Sequence, residues 1–270
     1  MRIAVCFIGM VRTGVETVDN LKNWFRGLYP EIDFFMHTWD VTESKLWHYE
    51  SRYVIENVRP QNLYRESSYP LIDKMETLYD KKFVSVEVEN QEKFLASNFY
   101  LNYRSFSPQW YSWYKVMQLV DTHERLNDFR YDVVVKIRPD IMFPRERNLK
   151  EEILRYCDDT SALYTLGYDP VRIDDVMFLG SSSVMKKSSR FMIEAPNKVW
   201  ETNSLGDWLD MKGIKALNTA YTIYSIYRKE HVELGVSPMH FNKCVNVDRE
   251  FYAPYNVDRL LEDEDEDTIC

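Results

Sequence analysis

Paired cysteines and long apolar runs are both missing from this sequence of 270 residues. Its four cysteines form no C-x-x-C pair, and no histidine stands near them at zinc-finger spacing, which predicts free thiols in a reducing compartment. The apolar segment at residues 3–11 is too short to span a membrane, and no small-residue cleavage site follows it. We therefore expect a cytoplasmic protein without a membrane span. The cysteines are Cys6, Cys157, Cys244 and Cys270.

Basic residues are fewer than acidic ones, with 34 Lys and Arg against 43 Asp and Glu and a formal net charge of −9. Non-specific nucleic-acid binding depends on Lys and Arg that neutralise phosphates, so the charge predicts no nucleic-acid partner. An acidic run at residues 262–267 predicts a flexible tail over 261–270. Because no repeat and no Gly/Ser-rich or Pro-rich linker divides the rest, residues 1–260 are expected to form a single domain.

Residues 131–143, YDVVVKIRPDIMF, are the most informative stretch that is present. Their consecutive β-branched residues predict a strand buried on both faces, as in a parallel sheet covered by helices. Pro139 has no backbone N–H, so regular pairing is expected to stop there and Asp140 to lie at the carboxyl end of the strand. Open α/β sheets bind their ligands at that edge.

The other periodic segments alternate between strand and helix patterns. The order predicts an α/β fold with a mostly parallel sheet flanked by helices. A dinucleotide-dependent oxidoreductase or a methyltransferase is disfavoured, because the glycines after the first strand lack the G-x-G-x-x-G spacing. The expected strands cover residues 3–8, 33–38, 82–88 and 162–166, and one more strand ends at Gly180 before a Ser-rich turn. The expected helices cover residues 15–27, 109–129, 151–156, 188–211 and 220–227, and the helix over 188–211 is interrupted at Pro196.

Six segments together resemble one enzyme family, the GT-A-fold glycosyltransferases of bacterial polysaccharide clusters and of large algal viruses (chlorovirus-like). They are FIGMVRTG, HTWD, WYSWYKVMQLV, VVVKIRPDIMF, IDDVMFLGSS and ETNSLGDWLDMKGI, and they fall between residues 3 and 214. The resemblance implies a GT-A-like fold and an enzyme that moves a sugar from a nucleotide-diphosphate sugar to a hydroxyl of a glycan acceptor. It also implies a UDP-linked donor, with xylose as one possible sugar, and the host cytoplasm as the location if the chain is viral.

The resemblance further implies a metal site. Enzymes of this family hold Mn²⁺ or Mg²⁺ on the donor diphosphate through a short acidic motif, often D-x-D, and Arg138-Pro139-Asp140 stands at that position here. Asp140 is then the expected metal ligand. Arg138 replaces the first acid and could itself neutralise phosphate, so the need for a metal stays open. The residues expected to bind the donor are Gly9, Arg12, His37, Asp40, Lys136, Arg138 and Asp140.

Plainer interpretations of the same residues remain open. Arg138 and Asp140 could form a structural ion pair at the rim of the sheet. The loop at residues 9–14 could be a simple polar turn, and His37 could be a hydrogen-bonded structural residue. The chain would then be a non-catalytic nucleotide- or sugar-binding module with the same fold.

A base is needed for transfer with inversion, because the acceptor hydroxyl must lose its proton as it attacks the anomeric carbon. Asp174, Asp175 and Glu201 are the candidates for that catalytic role. Neighbouring residues of a strand point to opposite faces, so Asp175, which lies nearer the strand, is favoured over Asp174. The alternative is that both acids cap a turn and that Glu201 orients the acceptor or caps its helix.

Overall fold

The computed structural model describes residues 1–42, 67–97, 107–145, 147–156, 159–166, 168–169, 172–173, 176–195, 202–218 and 225–226. Its strands are β1 (Ile3–Ile8), β2 (Ile32–Trp39), β3 (Ser85–Glu89), β4 (Val133–Ile137), β5 (Ile141–Met142), β6 (Leu163–Thr165), β7 (Tyr168–Asp169), β8 (Arg172–Ile173), β9 (Phe178–Gly180), β10 (Ala216–Asn218) and β11 (Ser225–Ile226).

The helices of the same residues are α1 (Val18–Trp24), α2 (Tyr69–Tyr79), α3 (Gln91–Leu95), α4 (Ser107–Leu126), α5 (Leu149–Tyr156), α6 (Ser182–Ser189), α7 (Phe191–Glu194) and α8 (Thr202–Met211), with a 3-10 turn at Tyr29–Glu31. None of these helices is both long and apolar enough to cross a membrane.

Seven strands form one sheet in the order β10-β6-β9-β4-β1-β2-β3. The neighbours from β3 to β4 are parallel, and β9 is antiparallel to both β4 and β6. The carboxyl ends of β1, β2, β3 and β4 therefore meet at one edge of the sheet. The predicted fold class, an α/β fold with a mostly parallel sheet flanked by helices, is confirmed.

Alternation along the central strands builds two cores, because successive side chains of a strand point to opposite faces. Ile3, Val5 and Phe7 of β1 face a core that includes residues of α1, α2 and α5. Ala4, Cys6 and Ile8 face a second core that includes residues of α4, α6 and α8. Burial on both faces explains why these strands read as continuous apolar runs.

Some of the strand and helix ends predicted from the sequence agree with the structure, and others differ from it. Regular pairing of β4 ends at Ile137, before Pro139, as expected. The helix expected over 15–27 is shorter, because residues 12–17 form turns in which Arg12 has a φ of 43°. The extent of the domain stays a prediction, and the acidic tail lies outside the described residues.

Two predicted elements are wrong. The Ser-rich segment after Gly180 is not a turn, because Ser181 caps helix α6 by accepting a hydrogen bond from the backbone N–H of Val184 at 3.3 Å. The expected helix over 220–227 is a strand where it is described, since β11 pairs antiparallel with β5. Pairing with a distant segment overrides the local helix pattern there. The helical pattern of 188–211 divides into the end of α6, α7 and α8, and Pro196 lies outside the described residues.

Candidate functional site

The loops that follow β1 and β4 meet at the carboxyl edge of the sheet. Phe7 is the register partner of Ile137, so the chain leaves both strands at the same level. Arg12 in the first loop and Asp140 in the second are 128 positions apart and form an ion pair, with 3.2 Å between Arg12 Nη1 and Asp140 Oδ2. Two of the segments predicted to bind the donor are therefore in contact.

Arg138 donates two hydrogen bonds to the carboxylate of Asp140. Its Nε donates to Asp140 Oδ1 at 2.8 Å, and its Nη2 donates to Asp140 Oδ2 at 2.9 Å. The Asp140 side chain is 1% exposed, whereas those of Arg12 and Arg138 are 10% and 17% exposed. The carboxylate thus lies beneath two guanidinium groups that reach toward the surface.

Three hydrogen bonds and one close approach hold the loop after β1 and helix α1 against the segment that follows β4. The Thr17 hydroxyl donates to the carbonyl oxygen of Pro139 at 2.6 Å. Asn20 pairs with the backbone of Phe143, donating through Nδ2 to its carbonyl and accepting its N–H, each at 2.8 Å. A Cβ on Gly14 would lie 2.8 Å from the Val11 carbonyl oxygen and 3.0 Å from Pro139 Cβ, so only glycine allows this approach.

A divalent cation at Asp140 does not fit these contacts as they stand. Both carboxylate oxygens accept hydrogen bonds from guanidinium groups, and two positive charges already adjoin the carboxylate. An ion would have to displace one guanidinium and would meet the repulsion of the other. The structural ion pair between Arg138 and Asp140, which is the alternative to a metal site, is present. Metal binding by Asp140 remains a prediction.

The other predicted donor-binding residues occupy different settings. Lys136 is fully buried, with its ammonium nitrogen 4.5 Å from the centre of the Phe178 ring. Gly9 has a φ of 86°, which allows the tight exit from β1. Asp40 accepts hydrogen bonds from Asn90 Nδ2 at 2.5 Å and from the backbone N–H of Gln91 at 3.0 Å, so it joins the end of β2 to the start of α3.

His37 belongs to a polar cluster that sequence reasoning missed. Its Nε2 lies 3.5 Å from Glu89 Oε1, and Lys115 Nζ lies 2.6 Å from Glu87 Oε1 and 2.8 Å from Glu89 Oε1. The Tyr111 hydroxyl lies 3.0 Å from Glu89 Oε2 and 3.1 Å from Glu89 Oε1. The cluster joins the carboxyl ends of β2 and β3 to helix α4.

The charges of this cluster depend on one another. Contacts with His37, Lys115 and Tyr111 outweigh burial and hold the pKa of the Glu89 carboxyl well below its ordinary value. Burial lowers the pKa of Lys115, but hydrogen bonds to Glu87 and Glu89 outweigh it and raise that pKa above its ordinary value. Burial, followed by the hydrogen bond to Glu89, raises the pKa of Tyr111 to about 12. The carboxylate of Glu89 and the ammonium of Lys115 are therefore both charged at neutral pH.

The expected catalytic acids Asp174, Asp175 and Glu201 lie outside the described residues, so their roles remain predictions. A cavity of about 360 Å³ lies between α2 and β3, lined by Tyr69, Ile72, Asp73, Glu76, Val86 and Val88. None of the residues predicted from the sequence to form the site lines this cavity.

No protein-family model matches the sequence, and no curated protein matches it significantly. Among solved structures, a mannosyltransferase from Pyrobaculum calidifontis in complex with GDP-Man and Mn²⁺ is similar, with a TM-score of 0.42 and 10% identity. That match covers 83% of this chain, which spans only 56% of the length of the mannosyltransferase. A cytidylyltransferase from Leptospira borgpetersenii has a TM-score of 0.41 and 8% identity, over 100% of this chain and 99% of its own. Likeness at this level carries no information about substrates.

Proposed function

We propose that this chain is a glycosyltransferase that moves a sugar from a nucleoside-diphosphate sugar to a hydroxyl of a glycan acceptor. UDP is the proposed nucleotide, and xylose is one candidate sugar. The observation that carries the proposal is the contact of Arg12 and Arg138 over Asp140, at the edge of the sheet where open α/β folds bind ligands.

The segments that resemble GT-A glycosyltransferases support this assignment by their positions. FIGMVRTG begins in the last residues of β1, HTWD covers the end of β2, and VVVKIRPDIMF begins with β4, so three neighbouring strands bring these segments to one edge of the sheet. WYSWYKVMQLV lies on helix α4, which contributes to the core on one face of the same strands. Segments that are far apart in the sequence thus lie around one region of the fold.

The chemistry of glycosyl transfer matches the charges found there. When the bond from the sugar to the diphosphate breaks, the leaving nucleoside diphosphate gains negative charge that must be stabilised. Guanidinium groups bind phosphate oxygens through paired N–H donors and keep their charge at any physiological pH. In this proposal Arg12 and Arg138 contact the diphosphate, while Asp140 below them fixes the direction in which the two side chains point.

A second candidate function is a nucleotide- or sugar-binding module without catalysis. One observation favours it: the position of the first acid of a D-x-D motif is held by Arg138, which pairs with Asp140. Such a module would still bind a nucleotide sugar at the same edge. Turnover distinguishes the two functions, because an enzyme releases nucleoside diphosphate and a binding module does not.

A screen of nucleotide sugars tests both candidates. The melting temperature and the release of nucleoside diphosphate would be measured with UDP-xylose, UDP-glucose, UDP-galactose and GDP-mannose, each with and without Mn²⁺. We expect one donor to raise the melting temperature and to be turned over, and Arg12→Gln and Arg138→Gln each to weaken its binding by about tenfold or more. Arg125→Gln is the matched control, because that side chain is 72% exposed and pairs with Asp121 on α4.

Each result of this screen supports or contradicts one or both of the candidate functions. Stabilisation by a donor without any release of nucleoside diphosphate would select the binding module. Equal donor binding by the wild type, Arg12→Gln and Arg138→Gln would remove these residues from the donor site. A chain that no nucleotide sugar stabilises would contradict both functions.

A further inference from the structure

Three side chains of types that can bind a metal ion lie close together at the carboxyl ends of β2 and β3, on the face that α4 covers. His37 is the register partner of Glu87, and Trp39 is that of Glu89, so the two-residue period of strands puts His37, Glu87 and Glu89 on one face. One ligand atom from each of the three lies within 4.8 Å of the others. In a tetrahedral site with bonds of about 2.0–2.2 Å, neighbouring ligand atoms lie about 3.3–3.6 Å apart. Side-chain rotations that bring the most distant ligand atoms closer by at most about 1.5 Å would therefore complete a site.

The two carboxylates already hold a positive charge. Lys115 Nζ bridges them, at 2.6 Å from Glu87 Oε1 and 2.8 Å from Glu89 Oε1. The side chains of Glu87 and Glu89 are 32% and 25% exposed, so their mutual repulsion is only partly screened by water. A cation between them therefore stabilises the pair, and the ammonium group of Lys115 does so in this structure.

His37 has a requirement that Lys115 does not meet. Its side chain is fully buried, and neither ring nitrogen has a hydrogen-bond partner among the described residues. Its Nε2 nevertheless faces the cluster, 3.5 Å from Glu89 Oε1. The contact with Glu89 is longer than a normal hydrogen bond, and a poorly satisfied buried polar group is costly, so a metal ion at the centre of the cluster would satisfy Nε2 more directly.

We propose that His37, Glu87 and Glu89 bind a divalent transition-metal ion of the Zn²⁺ type, in place of the Lys115 ammonium group. One imidazole nitrogen with two carboxylates favours Zn²⁺ over Mg²⁺ or Ca²⁺, which prefer oxygen ligands alone. Three protein ligands leave a fourth position for water. When the ion binds, Lys115 swings out, because its ammonium and the ion compete for the same carboxylate oxygens.

This ion is separate from any metal at Asp140. Strand β1 lies between β2 and β4, and neighbouring strands are about 4.8 Å apart, so the strand of His37 is about 10 Å from that of Arg138. The ion-pair partners also differ, because Asp140 pairs with Arg12 and Arg138 whereas Glu87 and Glu89 pair with Lys115. The inference rests on the side chains of β2, β3 and α4 and does not depend on the proposed transferase function.

The test uses the full chain after treatment with a chelator and its removal. Calorimetric titration with ZnCl₂ is expected to show one ion bound per chain, with MgCl₂ about 100-fold weaker. Glu89→Gln is expected to weaken Zn²⁺ binding by about tenfold or more, because a neutral amide is a poor ligand. Lys115→Met is expected to tighten it, because the competing ammonium is gone and the carboxylates remain. Glu16→Gln, on an exposed side chain of the first loop, is the matched control and should leave binding unchanged.

Folding of the variants is checked by circular dichroism, and Lys115→Met keeps the test informative if Glu89→Gln fails to fold. Binding of Co²⁺, followed by its visible absorption and by its release on adding Zn²⁺, gives a second readout. The proposal is overturned if neither the wild type nor Lys115→Met binds Zn²⁺. It is equally overturned if Lys115→Met binds Zn²⁺ no more tightly than the wild type, or if Glu89→Gln binds it as tightly as the wild type does.

Discussion

The hydroxyl of Thr17 donates a hydrogen bond of 2.6 Å to the carbonyl oxygen of Pro139, across 122 positions of the sequence. Thr17 is fully buried, and it stands at the entry to α1, while Pro139 stands between Arg138 and Asp140. One buried side chain thus fixes the backbone that presents the Arg138–Asp140 pair. The position of the site is therefore coupled to the packing of α1 against the sheet.

Replacing this hydroxyl gives the first prediction. Thr17→Val keeps the shape of the side chain but leaves the Pro139 carbonyl without its buried donor, so we expect the free energy of unfolding to fall by about 1–3 kcal/mol. Urea unfolding measures the change. Thr17→Ser is the matched control, since it keeps the hydroxyl and loses a methyl group. Equal losses in the two variants would show that the hydrogen bond contributes nothing.

Asp140 should be more important to stability than a surface carboxylate. Asp140→Asn removes the charge that holds Arg12 and Arg138 together and leaves two cations facing each other, at a cost of about 3 kcal/mol. We expect the midpoint of urea unfolding to fall accordingly. Asp19→Asn, on the exposed first turn of α1, is the control and should change little. If the two variants lost the same stability, the ion pair would be energetically unimportant.

The sequence predicts the centre of this fold better than its periphery. β1, β2 and β4 are buried on both faces, so apolar runs reveal them without knowledge of their partners. β11 has only two residues and depends on pairing with β5, so local patterns wrongly predicted a helix there. Local secondary-structure propensity gives the wrong element where pairing with a distant strand determines the structure.

The candidate sites show the same limit. Arg138 and Asp140 stand at the end of a buried strand, so their place at the rim could be read directly from the sequence. Glu87 and Glu89 alternate with valines, a pattern that indicates a strand but not that its polar face meets α4. Lys115, which joins them, lies in the expected helix over 109–129, but a helix pattern does not show which strand its side chain meets. Only the packing of α4 on the sheet brings these charges together.

Gly14 offers a test of how closely the two loops must approach. A Cβ at this position would lie 2.8 Å from the Val11 carbonyl oxygen, which is held by a hydrogen bond from the Gly14 N–H, and 3.0 Å from Pro139 Cβ. We expect Gly14→Ala to lower the free energy of unfolding by about 2–3 kcal/mol. Gly180→Ala is the control, with its nearest contact at 3.3 Å and an expected cost below about 1 kcal/mol. A loss at Gly14 no larger than that at Gly180 would mean that the loops can separate freely.

The stabilising contribution of Glu89 should fall in acid. The pKa of Glu89 is lowered in the folded protein, so its stabilising contribution is complete above the ordinary glutamate value of 4.5 and is lost as the pH falls through the folded value. A double-mutant cycle of Glu89→Gln and Lys115→Met, followed by urea unfolding in the presence of a chelator, isolates their coupling energy. We expect a coupling energy of about 1 kcal/mol at pH 7 for this partly exposed pair. The loss of stability caused by Glu89→Gln should be smaller at pH 3 than at pH 7, because the unfolded chain takes up a proton below 4.5 while the folded carboxylate resists protonation. An equal loss at the two pH values would contradict a lowered pKa of Glu89 in the folded protein.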